Sequence, residues 1–204
     1  MHVHTNVSSP CSLIDPSRLV DLAIAAGLDA LCVTEHDDTI GADVAERIGR
    51  ERGFQIFKGV EIYTELGDML VFGLDVPKGT WKTPFDELVA ACDAAGAVIV
   101  PAHPCRIPDE LVSKHGSERV EEMLDACVAV ETHNGGSTPG GNDAAMKLAV
   151  EHGLPGIGGS DAHHEFQVGR CYTVFEDDIT TDAELVEALR KGRYLGACPV
   201  DRRR

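Results

Sequence analysis

The sequence predicts an α/β fold in which strands alternate with helices along the chain. Short apolar runs such as residues 30–34 are typical of buried strands, and stretches with apolar residues at helical spacing follow them. This alternation predicts a parallel sheet. About seven such units, with polar residues just after the strands, favour a closed (βα) barrel over an open, doubly wound sheet. We expect one domain over residues 1–204, because the chain shows no internal repeat, linker or low-complexity segment.

The predicted elements begin at the first residues and continue to residue 191. Residues 2–4 are expected to be extended. After a polar loop, Asp15 and Pro16 predict a helix start, since aspartate caps helices and proline fits their first turn, and Gly27 is expected to end that helix. Periodicity predicts further helices over residues 42–52, 84–95, 117–125, 142–152 and 182–191. Apolar runs predict strands over residues 30–34, 54–62, 69–72, 97–100, 127–130, 156–159 and 171–175.

The composition is that of an ordinary globular protein with a sizeable core. The chain has 204 residues, of which 43% are hydrophobic and 25% are charged. Its formal net charge of -16 argues against an extended nucleic-acid surface, which would be basic. A small phosphorylated substrate remains compatible with this charge, because bound cations can reverse the local sign of a site.

The cysteines predict reduced thiols. They are dispersed, form no Cys-x-x-Cys pair and follow no signal peptide, so we expect a cytoplasmic protein. No apolar run approaches the roughly 20 residues of a membrane span. Three cysteines lie in apolar stretches and are expected in the core: Cys32, Cys92 and Cys127.

Histidines and carboxylates at strand ends predict a metal site. In the stretch His2-Val-His4, alternation along an extended strand points both imidazoles to one face, as binding of one ion requires. Each residue alone has an ordinary explanation, such as a solvated histidine. Five more polar residues each follow a short apolar run: His36, Glu61, His103, Asp161 and His163. Together they favour a metal-dependent hydrolase.

These residues lie in motifs that resemble those of the PHP (polymerase and histidinol phosphatase) family, in the same order, from residue 2 to about residue 175. The resemblance implies a distorted seven-stranded (βα) barrel, a cluster of two or three divalent metal ions (Mn, Fe or Zn) and phosphoesterase activity. The motifs are His2-x-His4-Thr5, Thr34-Glu35-His36, Gly59-Val-Glu61, Ala102-His103-Pro104 and Gly159-Ser-Asp161-Ala-His163.

The resemblance also implies three ligand sets. Glu61 is expected to bridge the first metal to a second, which His103 also binds. Asp68 stands where many relatives have a histidine, and a carboxylate favours harder ions such as Mn²⁺ over Zn²⁺. His36 and His163 resemble ligands of a third metal. The first set consists of His2, His4, Glu61 and Asp161.

The chain departs from these relatives in two places. Relatives usually add an aspartate or histidine to the third site near position 9 or 10, where this chain has Ser9 and Pro10. We therefore expect the third ion to be weakly held. Relatives also tend to have a few strand residues before the first histidine, so this start is either truncated or an unusually short strand.

The implied chemistry is hydrolysis of a small phosphorylated metabolite or nucleotide by a hydroxide that bridges two cations. Arg106 resembles a phosphate-contacting position, with a surface arginine as the alternative, and His163 or Asp161 is expected to protonate the leaving group. The alternatives are a C–N hydrolase or a degenerate, non-catalytic PHP domain. His115 is expected to be solvated.

Overall fold

A computed structural model describes residues 1–76, 82–107 and 110–199. These residues form a mixed α/β fold in which seven helices and eight strands follow one another. The strands are β1 Ala30–His36, β2 Gln55–Thr64, β3 Gly67–Phe72, β4 Val98–Pro101, β5 Val130–Asn134, β6 Gly156–Gly159, β7 Tyr172–Phe175 and β8 Tyr194–Ala197. The helices are α1 Pro16–Ala25, α2 Ile40–Glu51, α3 Phe85–Ala95, α4 Glu110–His115, α5 Ser117–Asp125, α6 Pro139–Glu151 and α7 Asp182–Lys191. A short 3₁₀ helix covers Glu165–Gln167.

The strands form three sheets of mixed direction. A four-stranded sheet has the order β1-β2-β3-β4, and β5-β6 and β7-β8 form two-stranded sheets. Only β1-β2 and β5-β6 are parallel among the ladders of the described residues. The prediction of a wholly parallel sheet is therefore wrong. Only two residues separate β2 from β3, too few for the crossover that parallel pairing needs.

The segment with the two leading histidines lies between β1 and the chain that follows β6. The Thr34 backbone N–H donates to the Val3 carbonyl (2.9 Å), and the Asp161 N–H donates to the His2 carbonyl (2.8 Å). On the other side of the fold, the Val128 N–H donates to the Ile99 carbonyl (3.1 Å) and links β4 to the chain before β5. The first segment also forms an isolated parallel bridge from Val3 to Ala162, but no continuous ladder joins the three sheets among the described residues, so the closed seven-stranded barrel is not confirmed.

The predicted bounds of helices and strands agree best with the structure where the sequence carries strong local signals. The predictions of 117–125, 156–159 and 182–191 match α5, β6 and α7. In α1, the Asp15 carboxylate accepts a hydrogen bond from the Ser17 N–H (2.8 Å), as its role as N-cap predicts. The strand predicted at 127–130 instead begins at Val130, because regular pairing starts where Val130 meets Gly156 on β6. Helix α4 and strand β8 were not predicted.

Three apolar clusters form the core around these sheets. One packs β2 and β3 against α3 and α5, with Val60, Leu88 and Met123 buried. Another packs β3 and β6 against α7, and the third packs α1 and α2 against β1 and the Val3 segment. Packing on both sides holds the first histidines rigidly. Among the described residues, no helix is long and apolar enough to cross a membrane.

The cysteines divide into two groups. Cys171 and Cys198 form a disulfide that joins the start of β7 to the chain after β8. The prediction that all seven thiols are reduced is therefore wrong for this pair: the antiparallel pairing of β7 with β8, which was not predicted, brings together two cysteines that lie 27 residues apart in the sequence. Cys32, Cys92 and Cys127 are buried in the core, as predicted.

Candidate metal centre

Six separate segments bring the predicted ligands together, one of which is β3 with Asp68. His36 ends β1, Glu61 lies in β2, and His103 follows β4. The chain before β1 supplies His2 and His4, and the chain after β6 supplies Asp161 and His163. Because the first histidine segment hydrogen-bonds both to β1 and to the residues after β6, these distant parts of the sequence meet at one place.

Glu61 lies at the centre of the cluster and is almost fully buried. Its Oε1 lies 3.3 Å from His2 Nε2 and 3.2 Å from His103 Nε2. Its Oε2 lies 3.3 Å from His4 Nε2 and 3.0 Å from His36 Nδ1. Although these nitrogens are near, Oε2 is buried and makes no hydrogen bond to the described residues. A buried carboxylate oxygen without a donor is costly unless it binds a cation.

The nitrogens around Glu61 also point to a cation. His2 Nδ1 lies 3.0 Å from Glu131 Oε1 and donates to it, so the neutral ring carries its lone pair on Nε2. That Nε2 lies 3.0 Å from His4 Nε2 and 3.6 Å from Asp161 Oδ1. Two imidazole nitrogens at this distance either share one proton or face a common cation. The carboxylate oxygens beside them only accept, and they raise the pKa of His2, so either a proton on His2 or a bound cation balances this group of acceptors.

The side chains divide into overlapping groups whose ligand atoms lie within 4.8 Å of one another. Asp68 joins Glu61 and His103, with Asp68 Oδ2 3.9 Å from His103 Nε2. All eight side chains that the sequence analysis names as ligands belong to at least one group. The groups are His2-His4-Glu61, His2-His103-Asp161, Glu61-Asp68-His103 and His4-His36-His163.

The last of these groups differs from the predicted third set. The sequence analysis assigns His36 and His163 to it, whereas His4 lies with them as well. The His4 ring centre is 4.3 Å from that of His36 and 4.4 Å from that of His163. His163 Nδ1 lies 3.1 Å from the Asp161 carbonyl and donates to it, which leaves Nε2 free to bind a metal.

Glu131 supports the cluster and was missed by the sequence analysis. It is fully buried and accepts three hydrogen bonds, from His2 Nδ1 (3.0 Å), the His103 N–H (2.8 Å) and Asn134 Nδ2 (2.9 Å). A carboxylate on the outer nitrogen of a ligating histidine fixes its tautomer and orientation. An acidic residue directly after the apolar residues 127–130 was the available signal.

The backbone is strained where it presents these groups. Among the described residues, the non-glycine residues with positive φ are Asp37 (60°), His103 (32°) and Asp161 (50°). All three are in the cluster or adjacent to one of its histidines. Such conformations persist only where the surrounding structure enforces them, and they concentrate at functional sites. The backbone at Gly159 also lies very close to Glu131 and His2. A side chain at this position would clash with both residues.

Burial and neighbouring charges shift the pKa of several groups. Burial lowers the pKa of His2, but carboxylates led by Glu131 outweigh it and raise this pKa well above 6.5. Burial dominates for His4 and lowers its pKa to about 4. For Glu61 and Asp161, burial is outweighed by imidazoles, led by His2, which hold both pKa values well below the usual range. His4 is therefore neutral and both carboxylates are charged, the forms in which they bind metals.

Arg106 reaches the cluster from the chain after β4. It forms an ion pair with Asp161 Oδ2, and its side chain is 48% exposed. A cavity of 210 Å³ opens beside it and beside Asp68 and His103. Lys114 and His115 of α4 also line this cavity, where His115, predicted to be solvated, is half-buried.

Buried histidines and carboxylates gathered at strand ends of an α/β fold define a class of metal-binding proteins. The chain belongs to the PHP family. Residues 1–100 match the PHP domain, and residues 139–194 match a PHP-associated family. Together these two stretches cover more than half of the chain.

Curated relatives match parts of the chain. An uncharacterised protein of Methanocaldococcus jannaschii is 26% identical over 115 residues, which are 51% of this chain and 66% of that protein. A 5'-3' exoribonuclease of Haemophilus influenzae is 36% identical over 64 residues, 31% of this chain and 23% of that protein. An error-prone DNA polymerase of Symbiobacterium thermophilum is 40% identical over 81 residues, 38% of this chain and 8% of that protein. The chain spans less than two thirds of the length of each relative.

Solved structures share the fold along nearly the whole chain. A two-domain protein of Bacteroides vulgatus, with a part assigned as a PHP-like metal-dependent phosphoesterase, has a TM-score of 0.73 at 20% identity and covers 97% of this chain and 63% of that one. A protein of Bifidobacterium adolescentis assigned as a metal-dependent phosphoesterase has a TM-score of 0.67 at 21% identity, covering 92% and 94%. Endonuclease Q, in complex with duplex DNA carrying an abasic lesion, has a TM-score of 0.64 at 15% identity, covering 94% and 55%.

Proposed function

We propose that residues 1–204 form one hydrolase domain that cleaves a phosphoester of a small phosphorylated metabolite or nucleotide with the help of bound divalent metals. The observation that carries the proposal is the group of acceptors around Glu61. Among the described residues, its Oε2 is buried without a hydrogen bond although His36 Nδ1 lies 3.0 Å away, and His2 Nε2 and His4 Nε2 approach each other to 3.0 Å beside two carboxylates. Divalent ions would satisfy such a set of buried acceptors.

The residues fit two or three divalent ions. We assign the first ion to His2, His4, Glu61 and Asp161, and the second to Glu61, Asp68 and His103. The third would use the imidazoles of His4, His36 and His163, so His4 stands between the first and third positions. Mixed nitrogen and carboxylate ligands suit Mn, Fe or Zn. Once bound, the ions would supply a water of lowered pKa and neutralise charge on the phosphoryl oxygens.

The cationic side chains beside the cluster support an anionic substrate. The guanidinium of Arg106 is half exposed and lies next to Asp161, where it would contact a phosphoryl oxygen. Lys114 and His115 line the same cavity, within a chain whose net charge is -16. Arg106 and Lys114 lie beside Asp68 and Glu110 in this lining, so they offer two local positive charges to a small anion, whereas the net charge of -16 disfavours an extended polyanion.

A group in the cluster must hold the proton for the leaving alkoxide. Asp161 and His163 are the assigned candidates, and His163 is the better one because burial of Asp161 is outweighed by neighbouring imidazoles, which hold its pKa well below the usual range. The hydrogen bond from His163 Nδ1 to the Asp161 carbonyl directs its Nε2 into the cluster, which suits a ligand. His163 is also partly exposed, so a proton could reach it from solvent.

A second candidate is hydrolysis at a nucleic-acid terminus. It is favoured by the relatives and structural neighbours that are an exoribonuclease, a DNA polymerase and a DNA-bound endonuclease. The net charge of -16 works against binding of a long strand. A short oligonucleotide therefore belongs in the same test as a mononucleotide.

The test is a substrate panel with Mn²⁺-loaded protein: phosphate monoesters, diesters, nucleotides, 5'-phosphorylated oligonucleotides and amides. We expect chelator-sensitive release of phosphate from a small ester. Arg106→Gln should lower kcat/KM about tenfold to a hundredfold, in line with loss of a charge-assisted hydrogen bond. Arg50→Gln, which removes an exposed arginine of α2, is the matched control and should change little. Metal-loaded protein that cleaves no phosphoester, or cleaves amides alone, contradicts the proposal.

A further inference from the structure

Ser9 is fully buried, and it lies where the family resemblance led us to expect a ligand of the third metal. Its hydroxyl donates to Glu35 Oε2 at 2.5 Å and accepts from the His36 backbone N–H at 3.1 Å. His4 Nδ1 lies 3.4 Å from the same oxygen. A hydroxyl has one proton to donate and two lone pairs to accept with. All three are in use, so Ser9 has no lone pair left for a metal.

Glu35 holds Ser9 in this orientation. Glu35 is fully buried, and its carboxylate accepts from the Thr5 backbone N–H (3.1 and 3.0 Å to the two oxygens) and from the Thr5 hydroxyl. A side chain at Gly41 would occupy the same space, so the carboxylate is also confined by packing. With its oxygens accepting on every side, Glu35 takes the proton of Ser9 and leaves the serine oxygen as an acceptor.

We propose that Ser9 is a positioning residue: with Glu35 it forms a hydrogen-bonded chain that fixes His4 as the Nδ1–H tautomer and directs its Nε2 to the metals. Among the described residues, His4 Nδ1 has Ser9 Oγ as its hydrogen-bond partner. His4 Nε2 faces Glu61 Oε2 at 3.3 Å and Asp161 Oδ1 at 3.5 Å. This proposal rests on the metal centre of the proposed function.

The arrangement mirrors the support of His2. There, Glu131 accepts directly from Nδ1 at 3.0 Å. At His4, the serine hydroxyl stands between the imidazole and the carboxylate. Since the Glu35 carboxylate lies against position 9, an aspartate there would place two carboxylates in contact in a buried site. Ser9→Asp therefore fails to add a ligand, contrary to the expectation that Ser9 is a lost one.

The first test is zinc titration of metal-free protein, with zinc content measured after dialysis against a chelator. Ser9→Ala should weaken the affinity of at least one zinc equivalent about tenfold to a hundredfold, as the loss of a residue that orients a ligand does. Ser8→Ala is the matched control, because the Ser8 hydroxyl accepts from the Gly41 N–H and contacts no cluster histidine among the described residues; it should bind zinc as the unmodified protein does. Ser9→Asp should gain no zinc equivalent.

The proposal is overturned if Ser9→Ala binds zinc as tightly as the unmodified protein, or if Ser9→Asp gains a tightly held equivalent. A second measurement needs no variant: long-range ¹H–¹⁵N spectra of the unmodified protein report the tautomer of His4. We expect a protonated Nδ1 in both metal-free and zinc-loaded protein, and a protonated Nε2 overturns the proposal. If the unmodified protein binds no zinc but His4 carries its proton on Nδ1, the proposed function fails and the positioning role of Ser9 stands.

Discussion

Two buried glutamates, Glu61 and Glu35, show how differently one side chain is used in neighbouring parts of the fold. Glu35 accepts hydrogen bonds from Thr5 and Ser9 and has no need of a further partner. Glu61 has imidazole nitrogens near both oxygens, yet its Oε2 makes no hydrogen bond to the described residues. The two side chains are almost equally buried, since Glu35 is 0% exposed and Glu61 is 2% exposed. Whether donors satisfy the carboxylate, rather than its burial, distinguishes a ligand from a supporting residue.

Neutralising Glu61 tests the difference between the two glutamates most strongly. Glu61→Gln removes the charge that both metal positions share, so it should release metal and lower phosphoester turnover roughly 10³-fold, equivalent to several kcal/mol of lost stabilisation. A rate assay in metal-limited buffer measures this, and circular dichroism checks the fold. Glu46→Gln, on the exposed face of α2, is the control. Near-normal turnover of Glu61→Gln would refute the bridging role.

A supporting glutamate should matter less. In the unmodified protein, three donors point at the Glu131 carboxylate. Glu131→Gln replaces one carboxylate oxygen with an NH₂ group, which cannot accept from them, so His2 should be held less firmly in its orientation. We expect metal affinity to fall about tenfold to a hundredfold, which is the usual effect of losing the partner of a ligating histidine. Metal titration of the metal-free protein measures it. A loss as complete as that of Glu61→Gln would erase the distinction between ligand and support.

The smallest expected effect tests packing rather than charge. Gly159→Ala adds a methyl group where Glu131 and His2 meet, and overpacking of this kind costs about 1–3 kcal/mol of unfolding free energy. Gly140→Ala is a matched control, because Gly140 lies in the first turn of α6 with open space around it. That change should be neutral or stabilise by about 0.5–1 kcal/mol. Urea unfolding compares the two, and equal stabilities would show that the glycine is not needed for the close approach.

The gathering of His36, Glu61, His103, Asp161 and His163 could be predicted because each follows a short apolar run. The supporting network could not, since Glu131 meets His2 across 129 residues of sequence. Ser9 was interpreted as a missing ligand because spacing reveals the position and not the Glu35 carboxylate beside it. The strand at residues 69–72 was predicted but its antiparallel direction was not, because its apolar run has the same pattern as a parallel strand and only the short turn before it indicates the direction. The Cys171–Cys198 disulfide depends on the pairing of β7 with β8, and β8 lacks a strong apolar signal.

The central claim is that Glu61 joins at least two bound metal ions. The most direct test is elemental analysis of the protein after anaerobic purification, with the protein concentration measured independently and the fold checked by circular dichroism. We expect at least two equivalents of transition metal per chain, falling in Glu61→Gln and not in Glu46→Gln. Folded protein that holds less than one equivalent, and takes up none when Mn²⁺ or Zn²⁺ is added, would contradict the account.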